Sequence, residues 1–196
     1  MRLAALVLAA GAARRFGSPK ALAPWRGKPL LQHTLDALSP LVDVTLVLGA
    51  EAERIRESIV FAGPIVTHDD WSAGLASSIR AGLDEIERRR PMQPAILIAL
   101  GDQPTILRAD YAELIATWRS DPHKIVAARH GDARGAPCIF PREFFGALRT
   151  LHGDRGARAL LEQQRAHVID VAIEAARFDV DTPADLQALE RSDGAR

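Results

Sequence analysis

A single cysteine, Cys138, stands in a chain of 196 residues, so no disulfide framework can form within it. No apolar stretch reaches the roughly 18–20 residues that a membrane-spanning helix needs. Acidic and basic side chains number 25 each. There is thus no global field to gather nucleic acid or an anionic membrane, and any anion must be recognised locally. The six histidines follow neither H-E-x-x-H nor a Cys/His spacing, which argues against a zinc site. The chain has no G-x-S-x-G elbow, and Cys138 reads as a buried strand residue rather than a nucleophile. Neither G-x-x-x-x-G-K-[ST] nor G-x-G-x-x-G occurs, which removes the P-loop and the dinucleotide fingerprint. Low-complexity tracts and internal repeats are also missing. What remains is a globular composition, 47% apolar, sized for one domain over residues 1–196 that buries roughly 70% of its unfolded surface.

Apolar runs of strand length recur at Leu3 to Ala10, Val44 to Leu48, Ala95 to Leu100, Ile125 to Ala128 and Val168 to Ile173. Helical stripes lie between most of them: Leu31, Leu35 and Leu38; Leu75, Ile79, Leu83 and Ile86; Tyr111, Leu114, Ile115 and Trp118. Strands apolar on both faces, alternating with helices, predict an α/β fold with a mainly parallel sheet covered on both sides. Gly63-Pro64 and the stretch from Arg88 to Pro94 punctuate elements and do not link domains. Arg88-Arg89-Arg90 suits a helix C-terminus, where positive charge complements the dipole. In such a sheet, ligands bind beyond the carboxyl ends of the strands, so the segments after each strand are where chemistry is expected.

The first of these is the most informative. The run from Leu3 to Ala10 breaks at Gly11 into a loop carrying Arg14, Arg15 and Gly17 and closing on Lys20. Glycine lets backbone N–H groups approach a phosphate chain, lysine supplies a point charge and arginine a planar fork. An ordinary solvated turn has the same composition. Met1 to Ala12 also has the outline of a short secretory signal, but with one leading charge and no disulfide framework the chain reads as mature from its first residues and cytoplasmic.

After Ala95 to Leu100 comes Gly101-Asp102-Gln103-Pro104, which places a carboxylate at the sheet rim. Asp102 suits a turn, the commoner case for such a residue, and alternatively a Mg²⁺ ion that takes one or two carboxylates plus substrate phosphates. Near the C-terminus, Asp179-Val180-Asp181-Thr182-Pro183 repeats the pattern. Thr182 suits an N-cap, Pro183 the first helical position and Asp185 a capping box, which leaves Asp179 and Asp181 unexplained by capping. Asp181, nearest the helix start, is the candidate second ligand. Arg134-Gly135-Ala136-Pro137 precedes a strand expected at Cys138 to Phe140. Gly153-Asp154-Arg155-Gly156-Ala157-Arg158 and Trp71-Ser72-Ala73-Gly74-Leu75-Ala76-Ser77-Ser78 each open a helix. Each of these stretches suits a plain turn or a ligand loop, and a helix N-terminus with glycine and arginine nearby is a ready anion site.

Taken in order, Leu8-Ala9-Ala10-Gly11 with Arg15-Phe16-Gly17 and Lys20, then Gly74 to Leu83, Gly101-Asp102-Gln103-Pro104, Arg134-Gly135-Ala136-Pro137, Gly153 to Arg158 and Asp179 to Pro183, the chain resembles the MobA-like nucleotidyltransferases. Within them it looks most like the molybdenum cofactor cytidylyltransferase branch. Single motifs are loose, but six in the family's order are specific, and they span nearly the whole chain. The resemblance implies a Rossmann-like three-layer sandwich. It implies that Leu8, Ala9, Ala10, Gly11, Ser77 and Gly101 bind an NTP, that Lys20 and Arg15 act on its phosphates, and that Asp102 and Asp181 hold Mg²⁺. Lys20, Asp102 and Arg15 would be the catalytic residues. Arg134, Gly135, Pro137, Gly153, Asp154 and Gly156 would face the acceptor, a phosphorylated pterin bearing molybdenum. Ala10 resembles the cytidylyl branch, where guanylyl relatives tend to carry glycine, so CTP is the expected donor and GTP the alternative. A client apo-molybdoenzyme is left open as a further partner. Ala12-Ala13 stands where relatives often show a small hydroxylated residue, and Thr67-His68-Asp69-Asp70 stands where Asn-Pro commonly precedes the tryptophan.

Overall fold

Side chains of the first strand alternate between two cores. Leu3, Ala5 and Val7 enter one, and Ala4, Leu6 and Leu8 the other. With both faces covered, the run is apolar without a break. The computed structural model describes residues 2–13, 16–154 and 156–193. Its elements are β1 (Ala4–Ala9), a short hairpin of β2 (Pro24–Trp25) and β3 (Lys28–Pro29), α1 (Leu30–Leu38), β4 (Asp43–Leu48), α2 (Ala52–Ser58), β5 (Ile65–Thr67), α3 (Leu75–Arg89), β6 (Ala95–Leu100), α4 (Arg108–Ser120), β7 (Ile125–His130), β8 (Ala133–Pro141), α5 (Phe145–Arg149), α6 (Gly156–Gln163), β9 (Val168–Ala172) and α7 (Pro183–Asp193).

The main sheet has seven strands in the order β5-β4-β1-β6-β8-β7-β9. All neighbours pair in parallel except β8, which runs antiparallel to both β6 and β7. Buried side chains of α1, α2 and α4 fill the core on one face, and those of α3, α5 and α6 the core on the other. The result is the expected Rossmann-like three-layer sandwich. The stripes of α1, α3 and α4 all turn inward, with Leu31, Leu35, Ile79, Leu83, Tyr111 and Leu114 buried.

The observed strands adjust several sequence expectations. The strand expected at Cys138 to Phe140 extends from Ala133 to Pro141, with a register shift opposite Ala127/Ala128, because its first half pairs with β7 and lies beyond the buried core. The strand β5 and the hairpin were not legible, being three and two residues per strand. Of the Arg88-Arg89-Arg90 cluster, Arg88 and Arg89 bond the Glu85 carboxylate within α3, and Arg90 pairs with Asp43. Ion pairing therefore adds to the helix-end role the sequence suggested.

A third, smaller core positions the site. Ala23 and Trp25 of the hairpin segment, Leu30, Val180 and Leu189 are buried together, with Phe16 and Leu186 packed against them. This cluster binds the loop after β1 to the segment before α7, far apart in sequence.

Candidate nucleotide and metal site

The strands β1 and β6 are neighbours, but the chain leaves β1 toward β4 on one side and β6 toward β7 on the other. Such a reversal opens a crevice at the carboxyl ends of the two strands. Here Gly101 N donates to Leu8 O at 3.0 Å, which holds the two exits together, and Ala50 N donates to Ala10 O at 3.1 Å. A Cβ on Gly101 would lie 2.8 Å from Leu31 Cδ1 and 3.1 Å from Ala9 Cβ, so the close approach requires glycine. The crevice is a cleft of about 520 Å³, walled by Leu8 to Ala13, Lys20, Glu51, Trp71, Ser78, Leu100 to Asp102, Asp154 and Asp181.

At its floor, Lys20 Nζ donates to Asp102 Oδ2 at 2.5 Å and to Asp181 Oδ1 at 2.8 Å. Burial alone would lower the Lys20 pKa, but the carboxylate of Asp102 and then that of Asp181 outweigh it, and the pKa is raised. The three residues come from three segments. Lys20 opens a 3-10 turn after the β1 loop. Asp102 follows β6 by two residues, and Asp181 precedes α7. A main-chain bond joins the last two segments, with Val180 N donating to Asp102 O at 3.0 Å. The start of α7 is fixed by the expected capping box: Thr182 N donates to Asp185 Oδ2 at 2.7 Å and Asp185 N to Thr182 Oγ1 at 3.2 Å. Asp181 N also donates to Asp185 Oδ2, at 3.1 Å.

The donor set suits a small hard cation. Two carboxylates converge on one cationic position, held here by the lysine ammonium, and Asp102 Oδ1 is buried with no protein partner among the described residues. Among those residues, no group of three or more His, Cys, Asp or Glu side chains forms a metal cage. An ion such as Mg²⁺ or Mn²⁺, which binds one or two carboxylates and completes its shell with water and substrate phosphate, fits that arrangement. Asp102 and Asp181 are the residues that would hold it.

Of the residues singled out in the sequence, Leu8, Ala9, Ala10, Gly11, Lys20, Gly101, Asp102, Asp154 and Asp181 line this cleft, as do Trp71, Ser72, Gly74, Leu75 and Ser78 of the stretch that opens α3. Arg15 lies outside the described residues, as do Arg14 and Arg155. Ser77 points elsewhere. Its hydroxyl donates to Gly74 O at 2.7 Å and lies 2.9 Å from His68 Nε2, and the neighbouring Ser78 lines the cleft instead. Arg134, Gly135 and Pro137 are also not in the lining. Arg134 grips Asp170 of β9 through Nε at 2.6 Å and Nη2 at 2.8 Å, so its fork is committed to holding the sheet edge. The start of α3 is not an open anion site either, because Gly153 O accepts from Ala76 N at 3.1 Å and Asp154 sits beside Gly74. Gly153 thus covers the helix end, and Gly156, at φ 51°, packs on Leu75.

The sequence reading did not anticipate Glu51, nor any role for Gln103. Glu51 lines the cleft at φ 58°, the left-handed region, and nothing in the sequence signals that. Gln103 is buried, and its Nε2 donates to Asp179 Oδ1 at 2.8 Å, which supplies the partner that capping did not. The Asp179 pKa is raised, first by burial and then by the Asp102 carboxylate. The adjacency of Gln103 to Asp102 was the one available clue.

An open α/β sheet with a crevice at its strand reversal and paired acidic residues at the floor defines a nucleotide-handling enzyme class. The chain belongs to the MobA-like NTP transferase domain family, whose model matches residues 5–168, and is a nucleotidyltransferase of that family. It is 32% identical to the nicotine blue oxidoreductase of Paenarthrobacter nicotinovorans, over 94% of each chain. It is 32% identical to the probable molybdenum cofactor guanylyltransferase of Pyrococcus horikoshii, over 78% of this chain and 68% of that one. Among solved structures, Rv0371c of Mycobacterium tuberculosis in complex with manganese superposes with a TM-score of 0.81 at 30% identity, over 98% of this chain and 100% of that one. No helix among the described residues is long and apolar enough to cross a membrane.

Proposed function

We propose that the protein is a Mg²⁺-dependent cytidylyltransferase that transfers CMP from CTP to the terminal phosphate of a molybdenum-bearing pterin and releases pyrophosphate. The observation that carries this reading is the meeting of Asp102 and Asp181 on one cationic position at the floor of the cleft. The manganese bound by a relative of similar fold supports a divalent ion. The relative named as a molybdenum cofactor guanylyltransferase supports a pterin acceptor and makes GTP the alternative donor.

The chemistry follows from charge. A terminal phosphate oxygen of the acceptor attacks the α-phosphorus in line, the new P–O bond forms as the bond to the bridging oxygen breaks, and pyrophosphate leaves with the electron pair. A phosphate monoester is largely ionised near neutrality, its second pKa being about 6. No general base is required, in keeping with a cleft that, among the described residues, is lined by neither histidine nor cysteine. A divalent ion, when bound, supplies charge stabilisation on the phosphates. The residues of the chain then have defined tasks. Lys20 bears the fixed positive charge, Asp102 and Asp181 hold the ion, and the backbone from Leu8 to Gly11 presents the close approach that phosphate needs.

The test is pyrophosphate release by the purified protein with CTP or GTP, Mg²⁺ and the phosphorylated pterin. Turnover with CTP well above that with GTP is expected. Faster turnover with GTP would move the protein to the guanylyl branch. Turnover only with another phosphorylated acceptor would overturn the pterin assignment. Nucleotide binding without pyrophosphate release from any acceptor would make it a cofactor carrier or regulator.

A further inference from the structure

We propose that Gln103 is a positioning residue that sets the spacing of the two metal-binding carboxylates, fastening the Asp179–Asp181 segment to the end of β6 so that Asp102 and Asp181 face one cation. This rests on the reading of Asp102 and Asp181 as ligands of a divalent ion.

Gln103 is 2% exposed, a rare depth for an amide. Its Nε2 faces three acceptors from two segments: Asp179 Oδ1 at 2.8 Å and Ala176 O at 3.2 Å in the connection between β9 and α7, and Ala136 O of β8 at 3.4 Å. Its Oε1 is buried and has no partner among the described residues. The orientation of the amide follows from that pattern, since a flipped group would set an oxygen against three oxygens. The side chain is therefore kept for its donors.

Those donors act where they align the site. The segment before α7 is tied to the end of β6 by two adjacent bonds, Val180 N to Asp102 O at 3.0 Å and Gln103 Nε2 to Asp179 Oδ1 at 2.8 Å. A single main-chain bond leaves a segment free to pivot, whereas two bonds at successive residues fix its direction. With Asp179 held on one side of Val180, Asp181 on the other is brought to the Lys20 ammonium that Asp102 also contacts. Glutamate at 103 would keep the shape but remove the donors. Methionine would keep the burial but leave the Asp179 carboxylate without its partner.

The experiment is a Mn²⁺ titration by electron paramagnetic resonance, with thermal melts on the same samples. It compares the unaltered protein with Gln103→Met, Gln103→Glu and a control, Thr105→Val. The control removes the bond from Thr105 Oγ1 to Ala175 O, 3.1 Å, at the same junction but away from the carboxylates. Both Gln103 variants are expected to weaken Mn²⁺ binding by about tenfold or more, as loss of a residue orienting metal ligands does. Thr105→Val is expected to lower the melting temperature alone. Mn²⁺ affinity unchanged in both Gln103 variants would overturn the positioning role while leaving the metal site standing. An equal loss of affinity in Thr105→Val would assign the effect to the junction as a whole and overturn the specific role. No Mn²⁺ binding by the unaltered protein would overturn the metal reading, and this inference with it.

Discussion

The amide of Val180 donates to the carbonyl of Asp102 at 3.0 Å, joining residues 78 positions apart. This bond ties the end of a central strand to the segment before the last helix, and it accounts for two acidic residues from distant motifs sharing one lysine.

Asp102→Asn keeps the shape of the side chain but removes the charge and one acceptor from the cation position. Steady-state turnover is expected to fall by about 10²-fold or more, the scale of losing a preorganised electrostatic group, with the circular dichroism spectrum unchanged. Activity within a few-fold of the parent would place the metal elsewhere.

Lys20→Met leaves Asp102 and Asp181 facing each other without their shared cation. Both carboxylates then gain more from an added ion, so Mn²⁺ should raise the melting temperature of the variant by more than it raises that of the parent. Turnover should still be lost, because the charge proposed to act on the phosphates is gone. An equal or smaller Mn²⁺ shift would show that the ion does not occupy the position between the carboxylates.

Gly74 adopts φ 97°, and a Cβ there would lie 2.6 Å from the Gly153 carbonyl carbon and 2.7 Å from Asp154 Oδ1. Gly74→Ala is therefore expected to destabilise the fold by about 1–3 kcal/mol, the cost of a strained backbone position. Urea denaturation measures this as a lower midpoint, and a midpoint equal to that of the parent would rule out the contact between this helix start and the Gly153–Asp154 loop.

Glu85 has its pKa lowered from 4.5 to about 2 by hydrogen bonds from Arg88 and then Arg89, with burial opposing. A group whose folded-state pKa is depressed contributes stability above its unfolded value and loses it as the pH falls through the folded value. The contribution should thus be complete above about pH 4.5 and disappear toward pH 2. In thermal melts at low salt, Glu85→Gln should melt below the parent at pH 6 and converge with it in acid. A difference that stays constant with pH would exclude the ion pairs as its source.

Much of the fold was legible because its strands are covered on both faces. The run from Ala95 to Leu100 matches β6 residue for residue, since burial on two sides demands apolar side chains throughout and Gly101 ends the run. The strand β8 was only partly legible. Its first four residues are half-exposed and carry no apolar signal, and its antiparallel direction depends on which neighbours it meets. The site was legible to a similar degree. Asp102 and Asp181 could be named from strand-end position and from capping left unsatisfied. Ser77 could not be told from Ser78, because the difference lies in which hydroxyl turns back to Gly74 O and His68.

By itself, the sequence determined the alternation of buried strands and amphipathic helices, the lack of a disulfide within the chain, the lack of an apolar run of membrane-spanning length, and the chemistry available after each strand. These are local properties, set by hydrophobic period and residue type over a few positions. The tertiary structure alone decided that Lys20, Asp102 and Asp181 share one point, that Arg134 is spent on Asp170, and that Gln103 faces Asp179. Each of those outcomes depends on strand order and on hydrogen bonds between segments that only the packed sheet brings within reach.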